Sequence, residues 1–230
     1  MAKKRVLITG ANKAHGIGIE TLRLFLAAGF EAVVVARHFD DFEFAGNPNV
    51  TAIEHDLFDL AGIPELVKKV GHIDVLVNNS GINNFTNYRD YTEELASRIL
   101  RVNFLAPLEL TKAVVADWEK TGFGRIVNVS SIAAERGNRD VFYGATKAAL
   151  TNLAKSLYLL DGDKGLIINT VHPGVVTSNW YPENPVRKII VEEAKKADKL
   201  ISPEAVAKTI FWLGTESPSS INGEVIRVAA

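Results

Sequence analysis

Apolar residues along this chain fall into two alternating patterns. Short runs rich in valine and isoleucine, without polar alternation, lie at 5–9, 32–36, 50–54, 75–78, 124–130, 166–171 and 224–228. Unbroken apolar runs of that length predict strands covered on both faces. Between them apolar positions recur at helical spacing, predicting helices over 18–28, 63–70, 92–102, 104–120, 143–161 and 203–215. Strand–helix alternation builds a parallel sheet with right-handed crossovers and helices on both faces. The expected fold class is α/β, a doubly wound, Rossmann-type sheet of about seven strands. No linker, repeat or low-complexity tract interrupts the pattern, so 1–230 reads as a single domain. The stretch 37–49 is brief for a crossover helix and predicts one turn or none.

Composition narrows the chemistry. The absence of cysteine excludes disulfides, thiolate metal sites and cysteine nucleophiles. His15, His38, His55 and His72 are dispersed without metal-ligand spacing, so no metal site is expected. A net charge of −1 gives no general pull toward nucleic acid or an anionic membrane. The basic N-terminus is followed by an apolar stretch that stops at Thr9 and Gly10, too short for a secretory signal. No apolar run reaches membrane-spanning length, and the expected location is cytoplasmic.

The sequence TGANKAHGIG at 9–18 joins the first strand to the first helix. A glycine turn before a helix N-terminus lets a phosphate approach unpaired backbone N–H groups. Gly10, Gly16 and Gly18 are the candidate glycines, but five residues separate the first two, unlike G-x-G-x-x-G. An acidic residue holding a ribose 2′-hydroxyl would end the second strand. Ala36 occupies that place and Arg37 follows it. Arginine suits a 2′-phosphate, and Lys13 and His15 add positive charge nearby, so the expected cofactor is NADP(H) over NAD(H).

Tyr143 and Lys147 stand at i and i+4, on one helix face. A free phenol with a pKa near ~10 is a poor acid–base at neutral pH, and a neighbouring cation lowers it. Such a pair suits proton exchange with an alcohol or carbonyl oxygen. Alone it is a common surface pattern. Its company changes that: Asn128–Ser131 and Asn78–Gly81 end predicted strands, where ligands bind in open parallel sheets.

Taken together, the chain resembles the short-chain dehydrogenase/reductase family, nearly end to end. The resemblance is carried by TGANKAHGIG at 9–18, HDL at 55–57, NNSG at 78–81, Asn103, NVSS at 128–131, YGATK at 143–147, HPG at 172–174 and INGEVIRV at 221–228. It implies that Tyr143 donates the proton in reduction. Lys147 would lower its pKa and bind the nicotinamide ribose, Ser131 would orient the substrate oxygen, and Asn103 would hold a relay water. Asp56 would bind the adenine amine, Asn78 and Gly81 would line the cofactor cleft, and Pro173 and Gly174 would flank the nicotinamide. The cofactor set is completed by Asn12, Ile17, Leu57, Ser80, Val176 and Ser178.

Departures from the family pattern leave choices open. The family's first glycine gap holds three residues, so a two-residue bulge carrying Lys13 is expected here. The long gap resembles enoyl-carrier-protein reductases, but those have a longer tyrosine–lysine spacing than Tyr143 and Lys147. Ser131 precedes Tyr143 by twelve positions and Ser130 by the family's thirteen; Ser131, the second of the pair, is favoured. Ser178 and its neighbour Thr177 compete for the carboxamide. His172 reads as a packed loop histidine rather than an acid–base. The segment 177–199 reads as a substrate lid, with Asn179 and Trp180 joining Ser131 and Tyr143 at the substrate. Trp180 and Tyr181 either wall the pocket or anchor the lid. The run 192–199 reads as a solvated helix face. The helix over 145–160 is apolar nearly all round, which with 104–118 suggests a homodimer or homotetramer.

The expected activity is NADP-dependent hydride transfer to or from a small carbonyl or secondary alcohol. Two alternatives stand beside it. One is 3-oxoacyl-acyl-carrier-protein reductase, which would want basic residues such as Arg136 and Arg139 beside the cleft. The other is a non-catalytic NADP-binding sensor, against which Asn103, Tyr143 and Lys147 argue.

Overall fold

The computed structural model describes residues 3–181 and 183–230. Seven strands make one parallel sheet: β1 (Arg5–Thr9), β2 (Glu31–Ala36), β3 (Val50–Glu54), β4 (Val75–Asn78), β5 (Arg125–Val129), β6 (Ile167–Pro173) and, last in the chain, β9 (Val225–Val228). Their order is β3-β2-β1-β4-β5-β6-β9. The order reverses between β1 and β4, and there the C-terminal strand ends leave a crevice.

Successive side chains of each strand serve opposite faces, which is why the apolar runs are unbroken. Val6 and Ile8 of β1 join a core with Ile19, Leu22 and Phe25 of α1 (Ile17–Ala27) and Val206, Ile210 and Leu213 of α7 (Pro203–Thr215). Leu7 points to the other core. There it meets Leu66 of α2 (Ile63–Val70), Leu110, Val114 and Trp118 of α4 (Ala106–Thr121), and Ala154 of α5 (Val141–Asp161). Fully burying one such Leu or Ile side chain contributes about 1.5–3 kcal/mol. The edge strand β3 keeps Thr51, Ala52 and Glu54 exposed and is less buried than its apolar pattern predicts.

Expected and observed bounds coincide for β1, β3, β4, α2 and α7. The expected helices 92–102 and 104–120 are one continuous rod: α3 (Glu93–Leu100) enters a π-helical turn at Arg101–Leu105 and continues as α4. Residues 37–49 form turns without a helix. Two features lay outside the predicted elements. Helix α6 (Pro185–Lys196) begins at the Asn184 cap, and β7 (Val175–Val176) pairs with β8 (Leu200–Ile201) to close the base of the segment that carries α6. Among the described residues, no helix is long and apolar enough to cross a membrane.

Candidate active site

The crevice is a cleft of about 900 Å³, and its first wall is the loop 10–18. Gly10 has φ +72°, and a Cβ there would stand 2.7 Å from Ser80 Oγ. At Gly18 a Cβ would stand 2.5 Å from the Gly10 carbonyl oxygen. Both glycines are therefore required by close approach, and Gly16 begins α1. Helices α3, α5, α6 and α7 start on side-chain caps from Thr92, Asp140, Asn184 and Ser202, whereas α1 starts at Gly16 with none. Uncapped N–H groups and the positive dipole end face the cleft beside Gly16, Ile17 and Gly18. They fit the pyrophosphate of a dinucleotide. The long glycine gap is absorbed by His15, whose φ is +53°. The His15 carbonyl accepts a hydrogen bond from the Asn179 backbone N–H at 3.3 Å, so the bulge meets the segment 177–199.

Asn12, Lys13, Ala36, Arg37, Asp56 and Leu57 line the outer end of the cleft. Asn12 Nδ2 donates to the His38 carbonyl at 2.8 Å, fixing the two loops together. Partial burial of Asp56 is outweighed by hydrogen bonds from the Phe58 N–H at 3.0 Å and Arg98 at 2.9 Å, which hold its carboxyl below its ordinary range.

The Asn78 assignment needs correction. Its side chain is 1% exposed and lies behind the cleft wall, donating to Asn128 Oδ1 at 2.9 Å. Asn79, Ser80 and Gly81 form the wall instead. Asn79 Nδ2 donates to the Thr9 and Gly10 carbonyls at 2.9 and 3.0 Å, tying the strand end to the glycine turn. Asn103 also sits off the cleft surface. From the π turn its amide accepts from the Ile82 N–H at 2.8 Å and donates to the Ile82 carbonyl at 2.9 Å and Thr146 at 3.2 Å. That satisfies the side chain within the protein; π turns of this kind are frequent at functional sites.

Tyr143 and Lys147 lie in the first turns of α5, almost fully buried against the cleft. Burial pushes the Tyr143 phenol up to about 12, although the neighbouring Ser131 hydroxyl and the charge of Arg187 pull it down. The Lys147 ammonium lies 5.9 Å from the Tyr143 ring centroid. Burial brings Lys147 itself down to about 8, and its Nζ donates to the Val129 carbonyl at 2.8 Å. The two serines differ in commitment. Ser130 gives its hydroxyl to the Lys147 carbonyl at 2.8 Å, while Ser131 Oγ accepts from the Ala133 N–H at 3.1 Å and lines the cleft near Tyr143.

Asp140, which the sequence reading did not single out, organises this end. It caps α5 through the Tyr143 N–H at 2.9 Å, accepts from the N–H groups of Asn84 and Phe85, and bonds the Tyr91 hydroxyl. The readable signal was an acidic residue three positions before the helical pattern that begins at Tyr143. His172 is buried in β6 between Glu135 at 2.6 Å and Thr151 at 2.9 Å, outside the cleft lining.

The far wall consists of Pro173, Gly174, Val176, Ser178, Asn179, Trp180 and Tyr181. Thr177 turns away and donates to the Ile201 carbonyl at 3.4 Å, leaving Ser178 as the hydroxyl on the cleft. Trp180 stands with its ring centroid 5.8 Å from that of Tyr143, packs against Phe85 and Tyr181, and both walls the pocket and anchors the segment. Arg187, also missed from sequence, reaches into this end from α6.

Fold and cleft together define a Rossmann-type α/β protein whose crevice holds a buried tyrosine and lysine. The family model for short chain dehydrogenase matches residues 4–185. The chain belongs to the short-chain dehydrogenase/reductase family of oxidoreductases. L-xylulose reductase of Mus musculus is 30% identical, with 99% of this chain and 96% of that protein aligned. The 3-oxoacyl-(acyl-carrier-protein) reductase of Buchnera aphidicola subsp. Schizaphis graminum is 28% identical over 98% and 96%. The solved structure of 4-hydroxyisoleucine dehydrogenase complexed with NADH shares the fold at TM-score 0.91 and 23% identity, covering 98% of this chain and 97% of that one. ElxO with NADP bound matches at TM-score 0.84 and 27% identity, over 99% and 97%.

Proposed function

We propose that this protein is an NADP-dependent oxidoreductase acting on a carbonyl or secondary alcohol, with Tyr143 exchanging the proton. The observation that carries this reading is the Tyr143 phenol, buried at the cleft's inner end, with Ser131 beside it on the cleft lining and buried Lys147 one helical turn away. The bound cofactor supplies or takes the hydride. At neutral pH the phenol keeps its proton and the Lys147 ammonium keeps its charge. Tyr143 holds that proton for the substrate oxygen, which Ser131 orients. Lys147 and Asn103 brace the inner end, and a relay water at Asn103 belongs to the same reading.

The uncapped α1 N-terminus holds the pyrophosphate, Asp56 and Leu57 border the adenine, and Ser178 serves the carboxamide. Arg37 and Lys13 beside Ala36 take the 2′-phosphate, which favours NADP(H) over NAD(H). The segment 177–199 acts as the lid, and Trp180 and Asn179 border the substrate. Replacement of Tyr143 by phenylalanine tests the reading: turnover should vanish while cofactor still binds.

The likeness to a 3-oxoacyl-(acyl-carrier-protein) reductase keeps a second substrate class in view, and Arg136 on the cleft lining is the basic residue that would favour it. Assembly of two or four copies belongs to the main reading. Tyr158, Leu159 and Leu160 stand exposed at the end of α5, Leu159 by 80%. Light scattering after size exclusion should return a mass of two or four chains; a monomer contradicts it.

A further inference from the structure

The geometry points to Arg187 as a carboxylate-recognising residue, making the cleft selective for substrates that carry an acid group near the reacting carbon. The inference rests on the oxidoreductase reading above and narrows its substrate class.

Arg187 lies in the first turn of α6, where its N–H is held by the Asn184 side chain at 3.0 Å. Its side chain is drawn under the lid, 7% exposed, and lines the cleft. Burying a guanidinium costs several kcal/mol unless an anion compensates it. No compensating group is present among the described residues. No carboxylate of those residues lies within 4.0 Å of Arg187. Nη2 donates to the Val176 carbonyl, and Nε is buried without any partner. Glu193, the lid's own carboxylate on the cleft lining, is exposed and unengaged with it.

The position of this charge matters. The Arg187 guanidinium carbon lies 5.9 Å from the Trp180 ring centroid, and the Trp180 ring packs on Tyr143 at 5.8 Å. The cation therefore flanks the proton-exchanging phenol. Guanidinium presents a planar fork of donors that matches a carboxylate. One bond to Val176 and stacking on Trp180 would suffice for a lid anchor, but neither supplies an anion to a buried guanidinium that lines the cleft.

The test uses matched pairs on the cofactor-loaded protein: 2-oxobutanoate, acetoacetate and 4-oxopentanoate, each against its methyl ester. For at least one pair, kcat/KM should favour the acid by about tenfold or more, and Arg187→Gln should bring that ratio to about 1. A second arm needs neither turnover nor a variant. Butyrate should bind the NADP-saturated protein in a calorimetric titration, and butyramide should not. An ester equal to or better than its acid throughout, or a ratio unchanged in Arg187→Gln, overturns the inference. So does a variant that loses NADPH affinity instead of acid preference, because the charge would then serve a cofactor phosphate. Butyrate bound through Arg187 with no carbonyl reduced would sustain the inference and sink the oxidoreductase reading.

Discussion

The Lys147 ammonium donates to the Val129 carbonyl at 2.8 Å from a side chain that is almost fully buried. A charge held there by one carbonyl is costly, and burial takes its pKa from 10.5 to about 8. The unfolded chain then binds more protons than the folded one between these values, so stability rises with pH across that window. Urea unfolding of the cofactor-free protein should show wild type gaining about 3 kcal/mol on Lys147→Met from pH 8 to 10.5. Tyr143 acts oppositely. Its pKa, raised by burial to about 12, makes stability fall as pH climbs from 10 toward 12. Parallel pH curves for wild type and Lys147→Met would contradict the assignment of a buried lysine.

Arg37 follows Ala36 at the end of β2 and lines the outer cleft. If it pairs with a 2′-phosphate, Arg37→Ala should weaken NADPH binding about tenfold, equivalent to ~1.4 kcal/mol, and leave NADH within about twofold. Fluorescence titration of both cofactors checks this. Tighter NADH than NADPH binding by the wild type would reverse the cofactor preference.

Gly18 leaves no room for a side chain. A Cβ would stand 2.5 Å from the Gly10 carbonyl oxygen and 2.8 Å from Ala11 Cα, both backbone atoms. Gly18→Ala should destabilise the fold by about 1–3 kcal/mol through overpacking and push the glycine turn off α1. Thermal unfolding and NADPH titration should both register the change. A variant that keeps wild-type stability and affinity would show that the turn is looser than its packing indicates.

The two-faced strands made the fold readable. Val6, Leu7 and Ile8 must all be apolar because alternate positions serve separate cores. Glycine turns and strand-end polar groups were readable because the sheet gathers its C-terminal ends on one side. Side-chain direction at a strand end was not. Asn78 and Asn79 are adjacent and identical, yet one is sealed against Asn128 and the other faces the cleft. That difference depends on the neighbouring strand's register, which a single segment does not carry. Arg187 was hidden for a similar reason: its burial depends on Val176 and Trp180, which lie outside its own helix. The α6 start was more accessible, since Asn184 followed by Pro185 is a cap and first-turn signal. Motif position alone distinguishes Ser131 from Ser130 in the sequence; in the fold both line the cleft, and Ser130 gives its hydroxyl to the Lys147 carbonyl.

The central claim is that the Tyr143 hydroxyl carries the proton in a nicotinamide-dependent reaction. The direct measurement is Tyr143→Phe, assayed for NADPH turnover on a carbonyl panel and for NADPH binding by titration. The phenyl ring keeps its packing against Trp180 and loses only the hydroxyl. We predict that kcat falls by about 10²-fold or more while NADPH affinity changes less than about threefold. A variant that retains wild-type turnover would contradict the account.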